Sequence, residues 1–158
     1  MPDPTKERAV LDSLIAALRS GGVEAIRPYI SFKTVGCSEQ ASSSVPACKP
    51  GEQSDTLTPV FYLSNCESGY LEPDQIQEPL QRMAAMKLSA VYRLPPQAQS
   101  SGQFSVVLID STAENAGKAW EAIVDDGHIV GLIYSCALTP EELLAARHYT
   151  DAVVLPAP

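Results

Sequence analysis

Two histidines, a spread of acids and four cysteines are the raw material for chemistry in this 158-residue chain. His128 follows the dipeptide Asp126-Gly127, so in a two-residue hairpin turn it faces Asp125. A facing carboxylate and imidazole can act as an acid/base dyad, but this pair falls at a hairpin tip, where a solvated rim pair is the plainer reading. His148 lies near the end of a helical segment, where a cation suits the helix dipole, and no catalytic partner is adjacent to it. The chain holds no GxSxG, P-loop, GxGxxG or HExxH pattern. No cysteine stands in a CxxC pair, which argues against zinc. Cys37 follows Gly36 without a positioned histidine, so disulfide or structural use is favoured over a reactive thiol. These residues assign no catalytic group, no metal and no cofactor.

Cys37, Cys48, Cys66 and Cys136 allow three connectivities. Cys37 and Cys48 flank a Ser- and Pro-containing loop and make the favoured local bridge. Cys66 with Cys136 would then join two strand ends. Free thiols in a reducing compartment are the alternative. Two bridges imply an oxidising compartment, so the chain is read as secreted or extracytoplasmic, with a cytoplasmic location as the alternative. Residues 1–13 show no apolar signal-peptide core, and no apolar run reaches the roughly 18 residues of a membrane span. A net charge of −8 argues against nucleic acid as a partner, which needs a basic patch. An apolar share of 45% and a charged share of 19% fit one globular domain over residues 1–158.

The elements that position these residues follow from periodicity and punctuation. Asp3-Pro4 opens a helix that carries Val10, Leu11, Leu14, Ile15 and Leu18 at helical spacing and ends at Gly21-Gly22. Val23, Ile26 and Ile30 continue on a short second helix limited by Pro28. Residues 31–37 and 59–66 read as strands of a long-looped hairpin around the 38–58 insertion. That insertion is read as a hairpin elaboration, with a lid over a pocket as the alternative. Glu72-Pro73 opens a third helix, which Pro79 should kink or split near Glu78. Residues 88–94, 103–110, 119–125 and 128–134 make four more strands. Thr139-Pro140 with Glu142 starts a last helix through a capping box. The tail at 151–158 reads as extended or loose.

Asp126-Gly127 suits a type I′ turn, which needs positive φ at both positions. A regular ladder from that turn pairs Val124 with Ile129, Glu121 with Leu132 and Trp120 with Ile133. One face then carries Trp120, Ala122, Val124, Ile129, Gly131 and Ile133 and forms a core or pocket wall. The other carries Glu121, Ile123, Asp125, His128, Val130, Leu132 and Tyr134. Its mixed character suits a subunit interface.

The order α, α, β, β, α, four-strand meander and C-terminal helix, with the ending WEAIVDDGHIVGLIY, resembles the nuclear-transport-factor-type cone fold. That superfamily includes ketosteroid isomerase-like and SnoaL-like proteins. The resemblance covers residues 5 to 136 and rests on Asp125-Asp126-Gly127 and Ile129 to Ile133. It implies an α+β fold in which a curved, mostly antiparallel sheet wraps the N-terminal helices in a cystatin-like cone, with a short C-terminal helix. The cysteine-bearing loop departs from the family pattern and could cover or fill the cone.

Enzymes of this kind place an Asp base and Tyr donors inside an apolar cone. The matching types here are Asp110, Tyr29, Tyr62, Tyr92 and Tyr134. The plainer readings are a turn residue for Asp110 and core-edge residues for the tyrosines. The expected pocket lining is Trp120, Ile133, Tyr92, Tyr62 and Tyr29. The leading functional expectation is a non-catalytic module for a small apolar ligand or an interaction partner, with a homodimer on the outer sheet face. The alternatives are a small isomerase, lyase or cyclase, and a dimerisation or accessory domain with a filled cone.

Overall fold

Leu11, Leu14, Ile15 and Leu18 are buried along one side of α1 (Pro4–Ser20) in the computed structural model of the chain. The structure describes residues 4–40, 42, 45–66, 68–98, 102–112, 114–134 and 136–154. Asp3, the expected N-cap of α1, lies outside them. Gly21, at φ +71°, ends α1. A single turn, α2 (Val23–Ile26), runs into a 3₁₀ turn over Arg27–Tyr29 that holds Pro28.

The third helical segment differs from the expected kink at Glu78. A 3₁₀ turn at Pro73–Gln75 comes first, closed by reciprocal capping between Glu72 and Gln75, and α3 (Gln77–Ala85) follows. Pro79 therefore sits in the first turn of α3. A missing N–H loses no helical partner there, so the break moves ahead of it to Ile76. The last helix, α4 (Pro140–Arg147), starts as its sequence requires. Thr139 Oγ1 accepts from the Glu142 N–H, and Glu142 Oε2 accepts from the Thr139 N–H at 2.8 Å.

The strands are β1 (Lys33–Gly36), β2 (Leu57–Asn65), β3 (Ser68–Leu71), β4 (Lys87–Arg93), β5 (Phe104–Ile109), β6 (Ala119–Asp125), β7 (His128–Tyr134) and β8 (Ala152–Val154). They form an open eight-stranded mixed sheet in the order β1-β2-β7-β6-β5-β4-β8, with β3 on β2. The fold is α+β, and β4 to β7 form the expected meander. The parallel pair β2–β7 joins the N-terminal hairpin to that meander. Part of the tail is a strand, since Ala152–Val154 pairs antiparallel with β4.

The 38–58 insertion is tied at its base. Cys37 and Cys48 form a disulfide, the Cys48 N–H donates to the Ser38 carbonyl, and the Asp55 N–H donates to the Cys37 carbonyl at 2.8 Å. Lys49 pairs with Glu72 at 3.1 Å and links the loop to the turn before α3. The second disulfide, Cys66–Cys136, joins the chain just after β2 to the chain just after β7. Both follow the favoured connectivity.

The β6–β7 register corrects the expected one. Val124 pairs with Ile129 and Asp125 with His128, as the Asp-Gly turn requires. A bulge then follows: Ile123 pairs with Gly131, leaving Val130 as the extra residue. Beyond it, Glu121 faces Ile133 and Trp120 faces Tyr134. The extra residue reverses the expected faces of Leu132, Ile133 and Tyr134. Leu132 and Tyr134 join Trp120, Ala122, Val124 and Ile129 in the main core, and Ile133 turns to the opposite face. Gly131 suits the close approach of β2, because a Cβ there would sit 3.2 Å from the Tyr62 carbonyl oxygen.

The main core unites Leu11, Leu14 and Leu18 of α1, Ile26 of α2 and Leu80 and Met83 of α3 with alternate residues of the sheet, Phe61, Val106 and Trp120 among them. On the other face, Leu143 of α4 packs on Ala90, Tyr92, Val107 and Ala119. Leu94, Ile123 and Val130 form a third cluster beside them.

Candidate functional site

The end of α4 delivers two side chains to one carboxylate. His148, in the left-handed region at φ 56°, caps the helix, and the Tyr149 N–H donates back to the Leu144 carbonyl. This reversal folds Tyr149 under the helix beside Arg147. Tyr149 Oη donates to Glu121 Oε1 at 2.6 Å, and Arg147 Nε donates to Glu121 Oε2 at 3.3 Å. Ser105 Oγ, from the neighbouring strand β5, donates to Glu121 Oε1 at 2.9 Å. Glu121 is 1% exposed, so a carboxylate amid an apolar sheet face is held by two hydroxyls and a guanidinium. Burial and the adjacent Glu121 charge push the Tyr149 phenol well above its ordinary range. Tyr149 also stacks on Tyr92 at a ring separation of 5.7 Å.

Beside this cluster lies an open cleft of about 660 Å³. Its floor carries Ile123, Val130, Gly131 and Ile133 from the β6–β7 hairpin and Val60 and Tyr62 from β2. Leu94, Pro95 and Ala98 bound it after β4, Tyr70 bounds it at β3, and Arg147 and Tyr149 bound it at the end of α4. Tyr62 and Tyr70 meet edge to face at 5.8 Å. Burial, and to a lesser extent Tyr62, raises the Tyr70 phenol. The size is ordinary for a small-molecule site, which combines an apolar lining with a few placed polar groups. No described residue of the 38–58 insertion lines it.

No protein-family model matches the chain, and no curated protein or solved structure matches it significantly.

The expected pocket residues divide between the two faces. Tyr62 and Ile133 meet in the cleft. Tyr92 lies next to it, covered by Tyr149, and its phenol is raised by burial. Trp120 and Tyr29 belong to the main core on the helix side, so Trp120 and Ile133 do not share a wall. The bulge at Val130 is the physical reason. All four cysteines are in disulfides.

The remaining candidates do not form an acid/base set in the cleft. Asp110 is buried at the end of β5. Its Oδ1 accepts the Thr112 N–H at 2.9 Å, and its Oδ2 accepts Trp120 Nε1–H at 3.0 Å. Burial opposes ionisation, but the Thr112 and Trp120 donors and the charge of Arg82 outweigh it and hold the carboxyl below its usual range. Arg82 stands over the Trp120 ring at 5.0 Å. Tyr134 stacks on Trp120 at 4.6 Å and donates to Asn115 Oδ1. His128 is exposed, with Nδ1 2.9 Å from the Asp126 carbonyl oxygen. His148 is exposed as the α4 cap. For Glu121, strand alternation alone predicts only a place on the mixed outer face. Its signal is an acid in the middle of β6, flanked on its own face by Ala119 and Ile123, whereas Asp125, the other acid of the strand, stands at the turn.

Proposed function

We propose that the chain is a non-catalytic binding domain for a small, largely apolar ligand, seated in the cleft between the β6–β7 hairpin, β2 and the end of α4. The supporting observation is the composition of the cleft. Ile123, Val130, Ile133 and Val60 give it an apolar lining, while the buried acid among the lining residues, Glu121, is held by Ser105, Arg147 and Tyr149. A carboxylate engaged by three donors serves better as an anchor for α4 than as a proton acceptor.

The nuclear-transport-factor-type cone belongs to the same reading. The element order and the parallel β2–β7 pair support it, and the site lies on the sheet face opposite the N-terminal helices. The helix side holds Trp120, Phe61, Leu14 and Met83 fully buried, in keeping with a filled cone. Two intramolecular disulfides support an extracytoplasmic location.

The test is titration with N-phenyl-naphthylamine, a neutral aromatic probe that fluoresces in apolar sites. Saturable binding is expected, and Ile133→Glu, which puts a charge on the floor, should abolish it while leaving the far-ultraviolet dichroism unchanged. No binding by a monomer, established by light scattering, would overturn the reading. A probe-silent dimer would assign the same face to a second copy of the chain.

A further inference from the structure

The charge of the cleft runs against the charge of the chain. The protein carries −8 overall, yet the described residues lining the cleft include two cations, Lys33 and Arg147, against one acid, Glu121. That acid is buried and already engaged by Arg147 Nε, Tyr149 and Ser105. Arg147 lines the cleft, and its side chain is 44% exposed while Glu121 holds its Nε. A fixed guanidinium loses little freedom when it meets a planar anion and can do so through two parallel hydrogen bonds. Concave walls of low polarisability strengthen the field of such a cation and of Lys33, which also lines the cleft.

We propose that the ligand is an anionic amphiphile, with a carboxylate head on Arg147 and an apolar body lying over Ile123, Val130 and Ile133. The assignment rests on the binding role of the cleft given above and adds the charge of its occupant. Glu121 acts here as a positioning residue that aims Arg147. Lys33 contributes through its field.

Two probes with one aromatic body separate the two ideas. Anilinonaphthalene sulfonate carries a negative charge that N-phenyl-naphthylamine lacks. The expected result is tighter binding of the sulfonate by at least about tenfold at low salt, a preference that shrinks as salt is added. Arg147→Gln should remove most of the preference, read as the ratio of the two probes' affinities in the same variant. Lys33→Gln should reduce it by a smaller factor. Decanoate should displace the sulfonate, and decanol should do so less well.

Equal affinity for the two probes in the wild type overturns the anionic assignment and leaves the binding role standing. Failure of both probes to bind overturns both. Displacement by phosphatidylglycerol vesicles but not by monomeric decanoate overturns the assignment in favour of a membrane surface.

Discussion

Tyr149 Oη and Glu121 Oε1 lie 2.6 Å apart across 28 positions of sequence, and this contact fastens the end of α4 to the centre of the sheet. Ser105 shares the same acceptor oxygen, so the two hydroxyls form a unit. Tyr149→Phe removes one donor and keeps the ring that stacks on Tyr92. The expected cost is about 1–2 kcal/mol by chemical denaturation. Ser105→Ala should cost a comparable amount. The double variant should depart from the sum of the two, because each hydroxyl compensates in part for the loss of the other at a buried carboxylate.

The same contact sets a pH dependence. Burial and Glu121 raise the Tyr149 phenol in the folded chain above the ordinary value of about 10. The folded state therefore holds this proton after the unfolded state has released it. Stability from this group is fully present below about pH 10 and is lost as the pH rises toward the higher folded value. Denaturation midpoints should fall above that pH. Tyr149→Phe should flatten the decline, leaving a residual slope to which Tyr92 and Tyr70 contribute, since burial raises both phenols as well.

Much of the fold is legible in residue order, and much of the site is not. The turn at Asp126-Gly127, the capping box at Thr139 and Glu142, and the helical stripe from Leu11 to Leu18 are local and survive in the structure. The bulge at Val130 is not legible from hydrophobicity, because Val130, Leu132 and Ile133 are all apolar and any register buries some of them. Only Gly131, a glycine inside a strand, marks it. The cleft is less legible still, because its walls come from β1, β2, β3, the segment after β4 and α4. The Glu121 cluster depends on the left-handed turn at His148, which no glycine announces.

Asp110 gives the acid-side counterpart. Its carboxylate accepts from Thr112 and Trp120 and lies below its usual range in the folded chain. A depressed folded value means that its stabilisation is present above the ordinary carboxylate range, near pH 4, and is lost as the pH falls through the folded value. Asp110→Asn should destabilise the chain at neutral pH and weaken the acid-induced decline. Trp120→Phe should weaken the same decline by removing the indole donor, and it should also cost core packing. Urea midpoints between about pH 2 and 7 measure both effects.

The two disulfides close very different loops, with sequence separations of 11 and 70. Intact mass should rise by about 4 Da on full reduction, since each bridge takes up two hydrogens. If chain entropy dominates, the double variant Cys66→Ser/Cys136→Ser should lose more stability than Cys37→Ser/Cys48→Ser, because the longer loop restricts the unfolded chain more. The longer bridge also closes the end of the parallel β2–β7 pair that forms part of the cleft floor. Its loss should therefore weaken probe binding. Loss of the shorter bridge should leave binding intact, because no described residue of the loop it ties lines the cleft. Equal effects on binding would show that the loop contributes to the site.

Gly127 tests the hairpin tip from two directions. Its φ is +74°, a region that costs an alanine about 1 kcal/mol, and a Cβ there would run into Val10 on α1. Valine within a helix is nearly confined to one rotamer, so Val10 cannot swing aside freely. Gly127→Ala should therefore cost more than the backbone effect alone. Val10→Ala should be mild, since Val10 is 45% exposed. In the double variant the steric part should vanish and the backbone part remain, so the loss returns to about 1 kcal/mol beyond that of Val10→Ala alone. Additive losses in denaturant would mean that α1 moves away from the hairpin tip rather than holding against it.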